Sequence, residues 1–137
     1  MCESRTARLL SIVIALTLAS WANARPQVDY ALHCTGCHLP DGSGLPPDVP
    51  SLRGDPGRIA ALPGGREYLI RVPGSSQAPL DDAELAAVLN WVMVEFNAET
   101  LPSRWKPFTR AEVARHRPRV LEDPARARAA LFKPYDE

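Results

Sequence analysis

Two cysteines and a histidine near residue 35 constrain this chain more than any other feature of its sequence. They form the motif Cys34-Thr35-Gly36-Cys37-His38, and the C-x-x-C-H pattern is typical of covalent attachment of a c-type haem. Each thiol adds to one vinyl group of the porphyrin, and the histidine that follows binds the iron on its proximal side. The sequence therefore predicts one covalent haem c per chain, bound by Cys34, Cys37 and His38, with His38 as an iron ligand.

A C-x-x-C pair has two other common uses, and the rest of the sequence disfavours both. A thioredoxin-like redox pair is expected beside a βαβ pattern, and none is visible. A structural zinc site needs a second pair of ligands. After residue 24 the chain has no further cysteine, and it has only His33 and His116 besides His38.

The first 24 residues have the pattern of a secretory signal peptide. Arg5 and Arg8 precede the apolar run 9–19, and Ala22-Asn23-Ala24 has the small-x-small pattern that signal peptidase cleaves. An uncleaved anchor is the alternative, but the run is shorter than the roughly 20 residues that a membrane span needs. We therefore expect a periplasmic mature protein, residues 25–137, without a membrane span. Haem of the c type is attached outside the cytoplasm, in agreement with export.

Length and charge narrow the class of protein further. A chain of 137 residues suits one domain, and its formal net charge of zero gives no reason to expect nucleic acid or an anionic membrane as partner. The 14 prolines and 8 glycines indicate short helices joined by long loops.

Apolar spacing and capping residues predict where those helices lie. We expect a loop over residues 39–56 because proline and glycine are dense there. Tyr30 and Trp91 are expected to pack where the first and last body helices cross. The predicted helices are 26–34, 66–72 ended by Pro73-Gly74, one from Asp81 or Asp82 to about 97, one from Thr109 to about 117, and one from Asp123 to about 132.

Two stretches of the chain resemble the class I cytochromes c. One runs from Cys34 to Gly54, and the other, Leu80 to Val92, is similar to their C-terminal helix. The resemblance implies an all-α fold in which a small cytochrome c-like domain, residues 25–97, wraps around the haem. Residues 98–137 would form a helical C-terminal extension packed on that domain. In this family a proline carbonyl accepts a hydrogen bond from the proximal histidine, and Pro50 is the candidate here.

The sequence departs from the family where the sixth iron ligand is expected. Members of the family usually carry a methionine just before the C-terminal helix, often followed by proline, and here Ala78-Pro79 stands at that place. The iron could have an open sixth position, or Met93 in the last helix could bind it. His116, His33 or a side chain such as Gln77 are further alternatives.

The resemblance implies a function in transfer of single electrons between redox partners, such as a dehydrogenase, another cytochrome or an oxidase. The chain would then be a carrier and not itself an enzyme. A five-coordinate haem protein that binds small ligands is one alternative, favoured by the missing methionine, and a haem subunit of a larger dehydrogenase complex is another. A peroxidase is disfavoured because no distal acid or base stands out.

Overall fold

The computed structural model describes residues 25–133, and this part of the chain is helical without strands. The predicted all-α fold is confirmed. The signal peptide predicted for residues 1–24 lies outside the described residues. No helix in the described range is long and apolar enough to cross a membrane. The helices are α1 (Pro26–His33), α2 (Asp55–Ala61), α3 (Gly65–Arg71), α4 (Pro73–Ser76), α5 (Asp82–Asn97), α6 (Arg110–His116) and α7 (Pro124–Phe132).

Five helices lie where the sequence predicts them, but α2 and α4 do not come from the prediction. Helix α2 begins at Asp55, inside the predicted loop, and Pro56 occupies its first turn. Pro73 likewise begins α4 and does not only end α3. Proline lacks an N–H, and the first turn of a helix has no partner for that group, so proline is favourable there. These prolines mark helix starts, whereas the local sequence pattern alone predicts breaks at both places.

Helix α5 is the longest, and its start is set by a reciprocal cap. The Asp81 carboxylate accepts hydrogen bonds from the backbone N–H of Ala83 at 2.7 Å and of Glu84 at 2.9 Å. The Glu84 carboxylate in turn accepts from the backbone N–H of Asp81 at 2.7 Å. This capping box satisfies donors that have no partner within the helix, and it confirms the predicted cap.

Helix α1 crosses α5 through a cluster of three aromatic rings. The Tyr30 ring centroid lies 5.0 Å from that of Trp91 and 5.6 Å from that of Phe96, and the last two are 5.2 Å apart. The predicted Tyr30–Trp91 packing is confirmed. Gly42, whose φ is 80°, packs against the Phe96 ring of this cluster. A Cβ at position 42 would lie 2.7 Å from that ring, which is too close for a side chain. The loop after the cysteine motif therefore lies directly on α5.

The C-terminal extension contributes to the same hydrophobic core. Phe108 and Val113 are 3% and 0% exposed and belong to the core cluster. The Asn90 amide of α5 accepts a hydrogen bond from the Phe108 N–H at 2.6 Å and donates one to the Phe108 carbonyl at 3.0 Å. Further along, Leu121 packs against the core while Val120 stays exposed. The described part of the extension is thus a structural part of the domain.

A half-buried ion pair joins the extension to α3. Arg66 donates to Glu112 through Nε at 2.7 Å and through Nη2 at 2.6 Å, and its guanidinium lies 4.0 Å from the centroid of the Phe108 ring. Thr109 caps α6 as predicted, by accepting from the Glu112 N–H at 3.2 Å. In a capping box the Glu112 carboxylate would also accept a hydrogen bond from the Thr109 backbone N–H. Here the carboxylate instead forms the bidentate pair with Arg66, because charge-assisted hydrogen bonds are the stronger ones.

The Arg66–Glu112 pair predicts how stability depends on pH. Hydrogen bonds from Arg66 hold the pKa of Glu112 below its ordinary value, although burial acts in the opposite direction. A carboxylate with a lowered folded-state pKa stabilises the fold above its unfolded pKa of about 4.3, and this contribution is lost as pH falls through the folded-state pKa. Glu112→Gln should therefore unfold at a lower urea concentration than the wild type at pH 7, with a difference that shrinks below about pH 4.

Urea titrations of the haem-loaded protein at several pH values measure this difference. Glu95→Gln, at an exposed position of α5, is the matched control and should show no such trend. A gap between the wild type and Glu112→Gln that is the same at pH 3 and pH 7 would contradict the assignment.

Candidate functional site

The cysteine motif continues α1 by one further helical turn. The backbone N–H of Cys34 donates to the Tyr30 carbonyl at 2.9 Å, and the N–H of His38 donates to the Cys34 carbonyl at 2.9 Å. The N–H of Cys37 also donates to the Cys34 carbonyl, at 3.2 Å. Residues three and four apart lie on the same side of a helical turn. The structure therefore brings together the three side chains that the sequence predicted as cofactor-binding residues.

The two thiols are free and lie in different surroundings. Cys34 is half-buried and packs against the core, whereas Cys37 is exposed. Burial is the main cause that raises the pKa of the Cys34 thiol to about 11, and the carboxylate of Asp29 adds to it. Residues 25–133 contain no group of three or more His, Cys, Asp and Glu side chains that could hold a metal ion.

His38 is half-buried, and one of its ring nitrogens faces the Pro50 carbonyl. Burial lowers the pKa of His38, and the backbone carbonyl of Pro50 partly offsets this shift. Nδ1 is buried and has no hydrogen-bond partner among residues 25–133, because the contact with the Pro50 carbonyl falls short of hydrogen-bond geometry. A buried N–H without an acceptor is unfavourable, and the Pro50 carbonyl is the acceptor at hand. A proton held on Nδ1 would leave Nε2 as the nitrogen that can bind a metal.

Gly44 sets the position of that carbonyl. A Cβ at Gly44 would lie 2.2 Å from the Val49 oxygen and 2.6 Å from the Pro50 oxygen. The backbones of residues 44 and 49–50 are therefore in close contact, and only glycine has the space for it. Sequence reasoning did not single out Gly44, because a glycine in a loop rich in proline and glycine carries no signal of its own.

An open cavity of about 430 Å³ lies beside Pro50, and helix α7 of the extension lines one side of it. Its polar lining groups include Tyr68 and Arg128, and Arg128 forms an ion pair with Asp55. Burial raises the pKa of Tyr68, and Arg128 acts against that shift. Mostly apolar walls with a few polar groups are typical of cofactor sites. The lining residues come from the loop and α3 (Pro47, Asp48, Pro50, Tyr68) and from α7 (Pro124, Ala125, Arg128, Ala129, Phe132).

These features fit the group that the motif predicts. Two unpaired thiols three residues apart can form two thioethers, and the adjacent histidine has a buried Nδ1 beside a carbonyl. The mainly apolar cavity next to Pro50 offers room for part of a large planar cofactor. The donor set of Cys34, Cys37 and His38 thus suits a covalent haem.

The candidates for a sixth iron ligand lie in separate surroundings. Met93 is 1% exposed and belongs to the hydrophobic core, so its sulfur faces other side chains and not an open space. Ala78 is also buried, whereas His33 and Gln77 are exposed. The His116 side chain is only 19% exposed and lies 3.6 Å from the Glu67 carboxylate. The role of Met93 as a ligand stays a prediction.

Comparison with known proteins gives an independent view of the chain. No family model matches it. Cytochrome c-552 of Thermus thermophilus is 38% identical over 106 residues, which cover 64% of this chain and 81% of that protein. A second cytochrome c-552, from a named strain of the same species, is likewise 38% identical over 106 residues, covering 64% of this chain and 72% of that protein. Identity at this level over most of a relative's length indicates a shared family and fold.

The two thiols predict covalent retention of the cofactor. Replacing both with alanine, Cys34→Ala together with Cys37→Ala, should abolish haem that survives denaturation, because both thioether bonds are lost. Mass spectrometry of the exported protein under denaturing conditions and the pyridine haemochrome spectrum measure this directly. Thr35→Ala, between the cysteines, removes only a hydrogen bond to the Ala31 carbonyl and should keep the full haem content. A colourless wild-type protein made with working haem-maturation machinery would refute the site.

Proposed function

Because the chain belongs to the class I c-type cytochromes, we propose that it is an exported, periplasmic carrier of single electrons. The cofactor of this family is a covalent haem c. We assign its attachment to Cys34 and Cys37 and its proximal iron ligand to His38. The observation that carries the assignment is the helical turn that brings these three side chains to one side of the chain, with His38 against the Pro50 carbonyl.

When bound, the haem supplies an iron that alternates between the ferric and ferrous states. The chain's own residues adjust that equilibrium. His38 would hold the iron through Nε2, and the Pro50 carbonyl would accept the Nδ1 proton, which would make the imidazole a stronger donor. The largely apolar walls of the cavity beside Pro50 would lower the local dielectric and would therefore also influence the potential.

The surface around the motif supports brief contacts with a redox protein. Cys37 is exposed, and close to it in the chain Leu39 is 42% exposed. Leu32, at the end of α1, is 70% exposed. A small apolar area around a cofactor edge is enough for the weak, short-lived complexes of electron transfer. The pattern of the first 24 residues supports a periplasmic location.

Voltammetry of the haem-loaded protein tests the carrier function. We expect one reversible wave of a single electron, and reduced protein should pass its electron to a second cytochrome in solution. An irreversible wave, or ferrous protein that no cytochrome reoxidises, would argue against a carrier even if haem is attached.

A second function, binding of a small ligand at the iron, is favoured by a specific observation. Ala78 stands at the place where the family usually carries the methionine ligand, and Met93 is enclosed by the core. Carbon monoxide tests the second candidate, because a high-spin ferrous haem with an open position binds it and a low-spin, six-coordinate haem does not. The spectrum of Met93→Ala beside the wild type tests Met93: an unchanged spectrum excludes it as the ligand, and a change from low to high spin assigns it.

The close contact at Gly44 predicts a shift in reduction potential. Gly44→Ala should push the Pro50 carbonyl away from His38 and weaken the imidazole as a donor, which disfavours the ferric state. The midpoint potential should rise by roughly 30–60 mV, a three- to tenfold change in the equilibrium. Gly74→Ala is the control, since a Cβ there meets no described atom within 4 Å. Equal potentials for both variants and the wild type would contradict the role of the Pro50 carbonyl.

A further inference from the structure

The end of α5 carries a buried amide that is bonded to two other parts of the fold. Asn97, the last residue of α5, is 1% exposed. Its Nδ2 donates to the Leu52 carbonyl at 2.9 Å and to the Val92 carbonyl at 3.0 Å. Its Oδ1 accepts from the Gly57 N–H of α2 at 3.0 Å. One side chain therefore joins the end of the longest helix to α2 and to the loop after the cysteine motif.

Leu52 lies at the base of that loop, and both of its backbone polar groups are fixed. Its N–H donates to the Gly42 carbonyl at 2.7 Å, and its carbonyl accepts from Asn97. Gly42 in turn packs on the Phe96 ring, and the Gly54 N–H donates to the Phe96 carbonyl at 3.2 Å. Both ends of the loop thus rest on the last turn of α5.

The carbonyl that Asn97 holds lies two residues beyond Pro50, whose own carbonyl faces His38. Two residues span at most about 7 Å, so a displacement at Leu52 reaches Pro50 through a short length of chain. On its other side, the Pro50 backbone is in close contact with Gly44. The position of the Pro50 carbonyl therefore depends on two constraints, the contact with Gly44 and the anchor at Leu52.

A second amide on α5 has the same chemistry but holds a different part of the chain. Asn90, two helical turns before Asn97, accepts from the Phe108 N–H and donates to the Phe108 carbonyl. An asparagine amide can donate and accept at once, so both residues satisfy backbone groups of each kind. Asn90 thus holds the extension, whereas Asn97 holds the loop that carries Pro50.

We infer that Asn97 is a positioning residue for the proximal histidine. Through Leu52 it keeps the Pro50 carbonyl beside the His38 ring, and it thereby adjusts how strongly the imidazole donates to iron. This inference rests on the proposed function, namely on haem bound through His38. Loss of the bond to Leu52 should let the Pro50 carbonyl withdraw, which weakens the imidazole as a donor and disfavours the ferric state.

The test compares Asn97→Ser with Asn90→Ser in the exported, haem-loaded protein. Both changes remove an uncharged amide from α5 and leave backbone groups without a partner, so both should lower the urea midpoint of unfolding. Only Asn97→Ser should shift the equilibrium toward the ferrous state, by about threefold, which raises the midpoint potential by about 30 mV for one electron. Voltammetry measures the potential, and the NMR shift of the His38 Nδ1 proton in the ferrous protein should likewise move only in Asn97→Ser.

A combination with Gly44→Ala separates positioning of the Pro50 carbonyl from a general loosening of the fold. If Gly44 and Asn97 both act through that carbonyl, the double variant should shift the potential by clearly less than the sum of the two single shifts. The reason is that one contact can be lost only once. Additive shifts would show that Asn97 acts on the potential by another route and would overturn the inference.

The remaining outcomes decide different questions. A lowered urea midpoint with an unchanged potential in Asn97→Ser would show that Asn97 is only structural, and equal shifts in both serine variants would show a general effect of destabilisation; either result overturns the inference. Absence of covalent haem from the wild type would instead refute the proposed function. If Asn97→Ser is not recovered folded, Asn97→Gln replaces it, because its extra methylene displaces the amide from the Leu52 carbonyl. It should raise the potential by a smaller amount, and a potential equal to that of the wild type would refute the inference.

Discussion

The contact between the half-buried His38 imidazole and the Pro50 carbonyl is the interaction on which the rest of this domain depends. One helical turn beyond α1 places the imidazole beside both thiols, and its Nδ1 is buried against the Pro50 carbonyl. A buried ring nitrogen needs an acceptor, so the loop that carries Pro50 has to return to the end of α1. The close contact of Gly44 with residues 49–50 makes that return possible. The long loop after the motif is therefore the element that orients the His38 ring.

The extension completes the domain in three places. Asn90 and Phe108 join it to α5, Arg66 and Glu112 join it to α3, and Arg117 holds the segment before α5. Helix α7 also lines one side of the cavity beside Pro50. All three contacts pair polar groups that are only partly exposed, and leaving such groups without partners would be unfavourable. A domain of this size has a limited core, and the extension adds buried Phe108 and Val113 to it.

Ala78 stands where the family usually carries a methionine ligand. This one difference bears on both candidate functions, electron transfer and ligand binding. A methionine ligand raises the reduction potential of a haem, and its loss lowers the potential and opens the iron to small ligands. An open position does not prevent transfer of single electrons, since the cofactor edge remains the point of contact. The residues around an open sixth position would then decide how the cofactor is used.

Residue patterns along the chain were enough to predict the haem motif, the all-α class, the caps of α5 to α7 and the Tyr30–Trp91 packing, because each depends on residues a few positions apart or on periodicity. They did not predict α2, since Pro56 reads as a break until its place in a first turn is known. Nor did they identify Gly44, the Arg66–Glu112 pair, the α7 wall of the cavity or the hold of Arg117 on the segment before α5. Those features depend on groups that are up to about eighty positions apart in the sequence and meet only in the folded chain. There each buried polar atom needs a hydrogen-bond partner, and the packing determines which partner is near. The spacing of neighbouring residues thus determined which cofactor the chain can hold. The tertiary structure decided which distant residues surround the cofactor-binding motif.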